Sequence, residues 1–187
     1  MIPTTHWIRF TEYHKLADLV GMRGAVYGFV WSDMKPSSTD SPSDLAECVY
    51  IGESGGFYYD KQNGHRGKLR SHLHKRMTMH HKPLTTGECP ERKYELFKEK
   101  YGFGDDVLNG TLTGTPLWGG FITTQKEDQE HCLKSWLISR EHYEIYQYQR
   151  KFGRSPLMNM QVDGKGKDPN SYSSEIMQNY GALEAFL

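Results

Sequence analysis

The chain has 187 residues, of which 36% are hydrophobic and 25% charged, so it is the size of one ordinary domain and lies outside the composition of disordered chains. No apolar run approaches the ~18 residues that a bilayer span needs, the segment MIPTTHWIRF has no signal-peptide apolar region, and three scattered cysteines (Cys48, Cys89, Cys132) fit a reducing cytoplasm better than a disulfide framework. The 23 basic and 23 acidic side chains cancel, which taken alone speaks against a nucleic-acid binder.

In chain order, the apolar runs 24–31 (GAVYGFVW) and 48–52 (CVYIG) are rich in β-formers and predict two neighbouring strands. Between them, residues 32–47 hold two prolines, five serines and four acids, the composition of a surface loop. Residues 61–82 follow with seven Lys/Arg, five of the nine histidines and no acid. A run of one sign repels itself, so an anionic partner, most simply phosphate, gives it a reason to stay together.

Within that run, Leu69, Leu73 and Met77 recur at helical spacing, predicting a helix over 68–80 with Arg76 and His80 on or beside one side. A short helix is predicted at 91–101, ended by Gly102 and Gly104, then a third strand at 116–123 (PLWGGFIT). The longest helix is predicted at 128–150, ended by Gly153 and Pro156. This order makes an α+β fold, a small antiparallel β-sheet flanked by helices, in a single domain over 1–187.

The long helix carries the most informative position. Along the ladder Leu133, Leu137, Glu141, Ile145, a glutamate stands where the stripe calls for an apolar residue, and Glu144 falls near the same face. An ionised carboxylate pushed toward a core costs several kcal/mol unless it is paired or holds a metal. Two readings follow: an ion pair with an arginine such as Arg76, or a ligand for a hard divalent cation. Carboxylate, cation, arginine and phenol are together the parts that phosphodiester hydrolysis needs.

These residues resemble the GIY-YIG nuclease superfamily, named for two strand motifs. Here they read Ala25-Val26-Tyr27, with alanine where the family has glycine, and Tyr50-Ile51-Gly52, which matches in full. The family's Arg with His four residues later is matched by Arg76 and His80, and a competing register pairs Arg70 with His74. Glu141, followed by Asn159, matches the family's later metal-binding Glu and its Asn, with Glu144 as the rival ligand. The resemblance spans residues 22–160, with loop insertions at 32–47 and 55–68 and a C-terminal extension at 161–187.

The resemblance implies a metal-dependent endonuclease of restriction or phage type, using one Mg²⁺ or Mn²⁺ on DNA, in the cytoplasm and without a membrane. An RNA-cleaving member, or a catalytically silent nucleic-acid-binding module, is the alternative. Such enzymes often act as homodimers, and no dimer face is marked in the sequence. Tyr27 would be the general base, its phenolate favoured by cations such as His80 and Arg76. Tyr50 would position the water or the scissile phosphate, Arg76 would fork onto phosphate oxygens, and His80 would orient or deprotonate Tyr27. Glu141 would hold the metal and Asn159 would fix local structure. Lys61, Arg66, Lys68, Arg70 and Lys75 would contact the phosphate backbone. A zinc site from His72, His74, His80 and His81 lacks paired-ligand spacing and a nearby cysteine.

Overall fold

Four extended segments pair edge to edge in the computed structural model, which describes residues 6–15, 24–36, 47–55, 73–88, 91–123 and 134–159. They are β1 (His6–Arg9), β2 (Ala25–Trp31), β3 (Glu47–Ser54) and β4 (Leu117–Thr123), in the spatial order β1-β4-β2-β3. Every pairing is antiparallel. The helices are α1 (Leu73–Thr86), α2 (Arg92–Tyr101), the single turn α3 (Asp105–Leu108) and α4 (Lys134–Phe152), with 3-10 turns at Phe10–Lys15 and Leu157–Asn159. The α+β class expected from the sequence is the class observed. Among the described residues no helix is long and apolar enough to cross a membrane.

Strand β2 is apolar at nearly every position because it is covered on both faces. Ala25, Tyr27 and Phe29 pack with Leu73, Met77 and Leu84 of α1 and with Tyr94 and Phe97 of α2. Val26 and Val30, with Cys48 and Ile51 of β3, pack on the other side with Leu137, Ile145 and Tyr148 of α4. Phe29 pairs with Tyr50 and Val30 with Cys48, so Val49 is an extra residue that joins the first of these cores.

Several boundaries differ from expectation for identifiable reasons. β1 has only four residues, too few to display an alternating pattern. It forms where Trp7 lies across Gly120, whose missing Cβ would stand 2.5 Å from the indole ring. Helix α1 runs six residues past His80, and Pro83 does not end it; the proline withholds one N–H from the carbonyl of the exposed Met79. Helix α2 ends at Gly102, whose left-handed backbone (φ 91°) lets its N–H reach the Lys98 carbonyl at 2.9 Å.

The expected loop 32–47 is shorter than its composition suggests. Ser32 is buried, its N–H donating to Pro116 and its carbonyl accepting from Trp118 Nε1 at 3.1 Å. Glu47 opens β3, where its carboxylate accepts from Lys100, Tyr101 and Arg154. The remainder of that loop at 37–46, most of the insertion at 55–68, and residues 128–133 and 160–187 lie outside the described residues.

β3 is the edge strand beside the turn Leu157–Asn159. There Asn159 acts as a fragment of a fifth strand. Its Oδ1 accepts from the Ile51 N–H at 2.8 Å, and its Nδ2 donates to the Ile51 carbonyl at 2.8 Å. Asn159→Ala would leave both backbone groups buried and unmet, at a cost of about 2–4 kcal/mol. Urea unfolding is expected to show that loss, and a change below about 0.5 kcal/mol would contradict this role.

Candidate active site

Cross-strand register sets the centre of the site. Tyr27 stands opposite Gly52, and Tyr50 stands opposite Phe29, so both phenols project from one face of the β2–β3 pair. Their rings lie 5.8 Å apart. A Cβ at position 52 would sit 2.7 Å from the Tyr50 ring and 2.8 Å from the Tyr27 hydroxyl, so the glycine is the space into which the phenols fold. Both hydroxyls act on each other through hydrogen bonding and charge.

Helix α1 brings the next two groups. Leu73, Met77, His80 and Leu84 form its buried stripe, which places an imidazole at a core position. His80 Nε2 is 2.8 Å from the Tyr27 hydroxyl, and Nδ1 is 2.9 Å from the hydroxyl of Tyr94 on α2. Burial, with the positive charges of Lys93 and Arg76, holds His80 well below the usual histidine range. It is therefore neutral, which corrects the expectation of a cationic His80 beside Tyr27. Burial also pushes Tyr27 well above the ordinary phenol value, with the Tyr50 charge in the same direction and Arg76 opposing. Tyr50 rises as well, first through burial and then through the Glu141 charge.

Arg76, one turn before His80, is half-buried, and its buried Nε finds no hydrogen-bond partner among the described residues. Its charge acts on Tyr27, Tyr50 and His80 alike. Glu141 on α4 is 4% exposed, in line with the Leu137–Ile145 stripe, and its charge acts on the same two phenols. Arg76 and Glu141 thus belong to one site, whether they serve each other or a third group. Glu144 is elsewhere: it is 29% exposed, forms an ion pair with Arg140, and acts by charge on Cys48.

The structure therefore brings together Tyr27, Tyr50, Arg76, His80 and Glu141, with Asn159 supporting the strand between Tyr50 and Gly52. The His74 ring lies tilted 5.6 Å from that of Tyr13, and it is His80 that meets Tyr27; Arg70 of the competing register lies outside the described residues. Lys75 is exposed on α1, while Lys61, Arg66, Lys68 and Arg70 lie outside the described residues. No three His, Cys, Asp or Glu side chains among the described residues converge as a metal cage, and both nitrogens of His80 are already engaged.

Two site residues escaped the sequence. Tyr94 reads as part of the apolar stripe Tyr94, Phe97, Tyr101 of α2, and nothing in its spacing ties it to His80. Lys93, whose ammonium lies 4.9 Å from the Tyr94 ring centre and 5.7 Å from that of Tyr50, reads as a solvated helix charge. It also pairs with Glu91 at 2.9 Å. No protein-family model, curated protein or solved structure matches the chain.

Gly52→Ala is expected to destabilise the protein by about 1–3 kcal/mol, because the methyl group must displace two packed rings. Urea unfolding checks this, and an unchanged midpoint would contradict the crowding. His80 binds its proton more readily in the unfolded chain, so its stabilising contribution is complete above pH 6.5 and is lost as pH falls from there toward its lower folded value. His81, lowered by burial against the pull of Asp105, adds in the same direction. Stability measured from pH 7.5 to 5 should therefore fall below about pH 6.5, by at most about 1.4 kcal/mol per pH unit from His80 alone. His80→Gln should flatten that slope, and an equal slope in both proteins would contradict a neutral buried imidazole.

Proposed function

We propose that the chain is a divalent-metal-dependent endonuclease that hydrolyses DNA phosphodiester bonds, with a site resembling that of the GIY-YIG nucleases. What supports this reading most is that Arg76 and Glu141, far apart in sequence, act on the same facing pair of phenols, Tyr27 and Tyr50. A buried carboxylate beside phenol oxygens is a set of hard donors. It suits Mg²⁺ or Mn²⁺ bound through one carboxylate, with water and phosphate filling the other positions. It does not suit zinc, which takes three or four nitrogen, sulfur or oxygen donors from protein.

In this reading Glu141 holds the cation, which when bound neutralises charge on the phosphate and the leaving oxygen. Arg76 presents its planar fork to phosphate oxygens, and its buried Nε, which finds no partner among the described residues, is a donor open to that use. Tyr50 donates a hydrogen bond to the scissile phosphate. Tyr27 removes a proton from the attacking water, and His80, neutral and 2.8 Å away, takes up the Tyr27 proton. Burial makes the Tyr27 phenolate costly at rest, and a cation held by Glu141 would lower that cost. Lys75 and the basic residues Lys61, Arg66, Lys68 and Arg70 steer and hold the phosphate backbone, with a strength that falls steeply with salt. Such an enzyme acts in the cytoplasm, and Asn159 keeps β3 in place beneath it.

The test uses supercoiled plasmid, single-stranded DNA and RNA, each with Mg²⁺, Mn²⁺ or EDTA. The wild type is expected to cut DNA only with metal, and Glu141→Ala and Arg76→Ala are each expected to lower the rate at least about a hundredfold. Discrete fragments would mean a sequence-specific enzyme. Preferential cutting of RNA would replace DNA as the substrate. Salt-sensitive binding with no cutting under any condition would sink the enzyme and leave a binding module.

A further inference from the structure

The imidazole of His80 is engaged at both nitrogens by phenols, Tyr27 at Nε2 (2.8 Å) and Tyr94 at Nδ1 (2.9 Å), and all three groups are buried. A neutral imidazole has one N–H and one lone pair, so one phenol donates to it and the other accepts from it. Which nitrogen carries the hydrogen is set by the bond that the other nitrogen makes. If the hydrogen is on Nε2, His80 points a donor at Tyr27 and cannot take its proton. If it is on Nδ1, the Nε2 lone pair faces the Tyr27 hydroxyl.

We propose that Tyr94 is a positioning residue that accepts a hydrogen bond from His80 Nδ1–H and so fixes the tautomer whose Nε2 lone pair faces Tyr27. The catalytic consequence rests on the nuclease reading above. Proton transfer then breaks the Tyr27 O–H bond and forms an Nε2–H bond, converting phenol and neutral imidazole into phenolate and imidazolium. The imidazolium keeps Nδ1–H on the Tyr94 oxygen, so no hydrogen bond is broken at the far nitrogen as the charge appears. The Arg76 charge favours the Tyr27 phenolate and opposes the His80 imidazolium. Tyr94 is held for the task by its place in the core between α1 and α2, beside Phe97 and Met77.

Nitrogen-15 spectra of the full chain, labelled at histidine and recorded near pH 7.5, read the tautomer directly. The His80 signals are identified as those missing from His80→Gln. The wild type is expected to show His80 protonated at Nδ1, and Tyr94→Phe, which keeps the ring and removes the hydroxyl, is expected to lose that pattern. Under saturating DNA with Mg²⁺, Tyr94→Phe should cut at least about tenfold more slowly with unchanged KM. An Nε2–H pattern in the wild type overturns the proposal without need of any variant. So does an unchanged Nδ1–H pattern in Tyr94→Phe, or, where the wild type cuts, equal cutting by the two proteins. The spectra do not depend on activity: a wild type that cuts nothing but shows the expected tautomer change removes the nuclease reading and leaves the Tyr94 assignment standing.

Discussion

The hydrogen bond between Tyr27 and His80 is the constraint on which the rest of this molecule depends. It joins the central strand β2 to helix α1 inside the core, where an unmet phenol or imidazole would cost about 1–3 kcal/mol. Because His80 stands on the buried stripe of α1, the bond fixes both the depth and the rotation of that helix against the sheet. Arg76 lies one turn earlier on the same helix, so its approach to the phenols follows from the seating of His80. Tyr94 closes the far side of the ring and ties α2 to the same point. A displacement at any one of the three is felt at the other two.

A second set of interactions brings the carboxylate to this centre. Helix α4 docks through Leu137, Ile145 and Tyr148 on the opposite face from α1, and the same stripe carries Glu141 into a buried setting. β2 and β3 are the layer between these two helices. Their register is guarded at the open edge by Asn159, which bonds both backbone groups of Ile51, and at the start of β3 by Glu47 with Lys100, Tyr101 and Arg154. Polar groups are thus concentrated where strands and helices must not slip. The buried Arg76 Nε is one of five buried side-chain polar atoms without a hydrogen-bond partner among the described residues.

Much of this was legible in the residues. The glutamate interrupting Leu137–Ile145 announced its own burial, since an apolar ladder rarely places a carboxylate without a partner. The strands at Ala25–Trp31 and Leu117–Thr123 stood out because β-formers were bounded by turn residues. What escaped had no local signature. β1 is too short to show periodicity, and it exists because Gly120 leaves room for Trp7. Glu47 looked like loop composition, yet two cations and one phenol, Lys100 and Tyr101 of α2 and Arg154 after α4, converge on it, a tertiary fact that neighbouring residues do not encode. Tyr94 is a core tyrosine by pattern and acquires its meaning only from the atom it touches. The charge state of His80 was misjudged for the same reason: basic neighbours in sequence suggested a cation, whereas burial and the positive Lys93 and Arg76 exclude the proton.

Tyr27, Tyr50, Arg76, His80 and Glu141 are proposed to form one cation-assisted phosphate site. Anomalous diffraction from crystals grown with Mn²⁺ and a short DNA duplex tests it most directly. One metal peak is expected at about 2.1 Å from a Glu141 oxygen, with a backbone phosphate between it and Arg76. A peak on Glu144 instead, or a duplex bound with no metal and no phosphate at the two phenols, would contradict it.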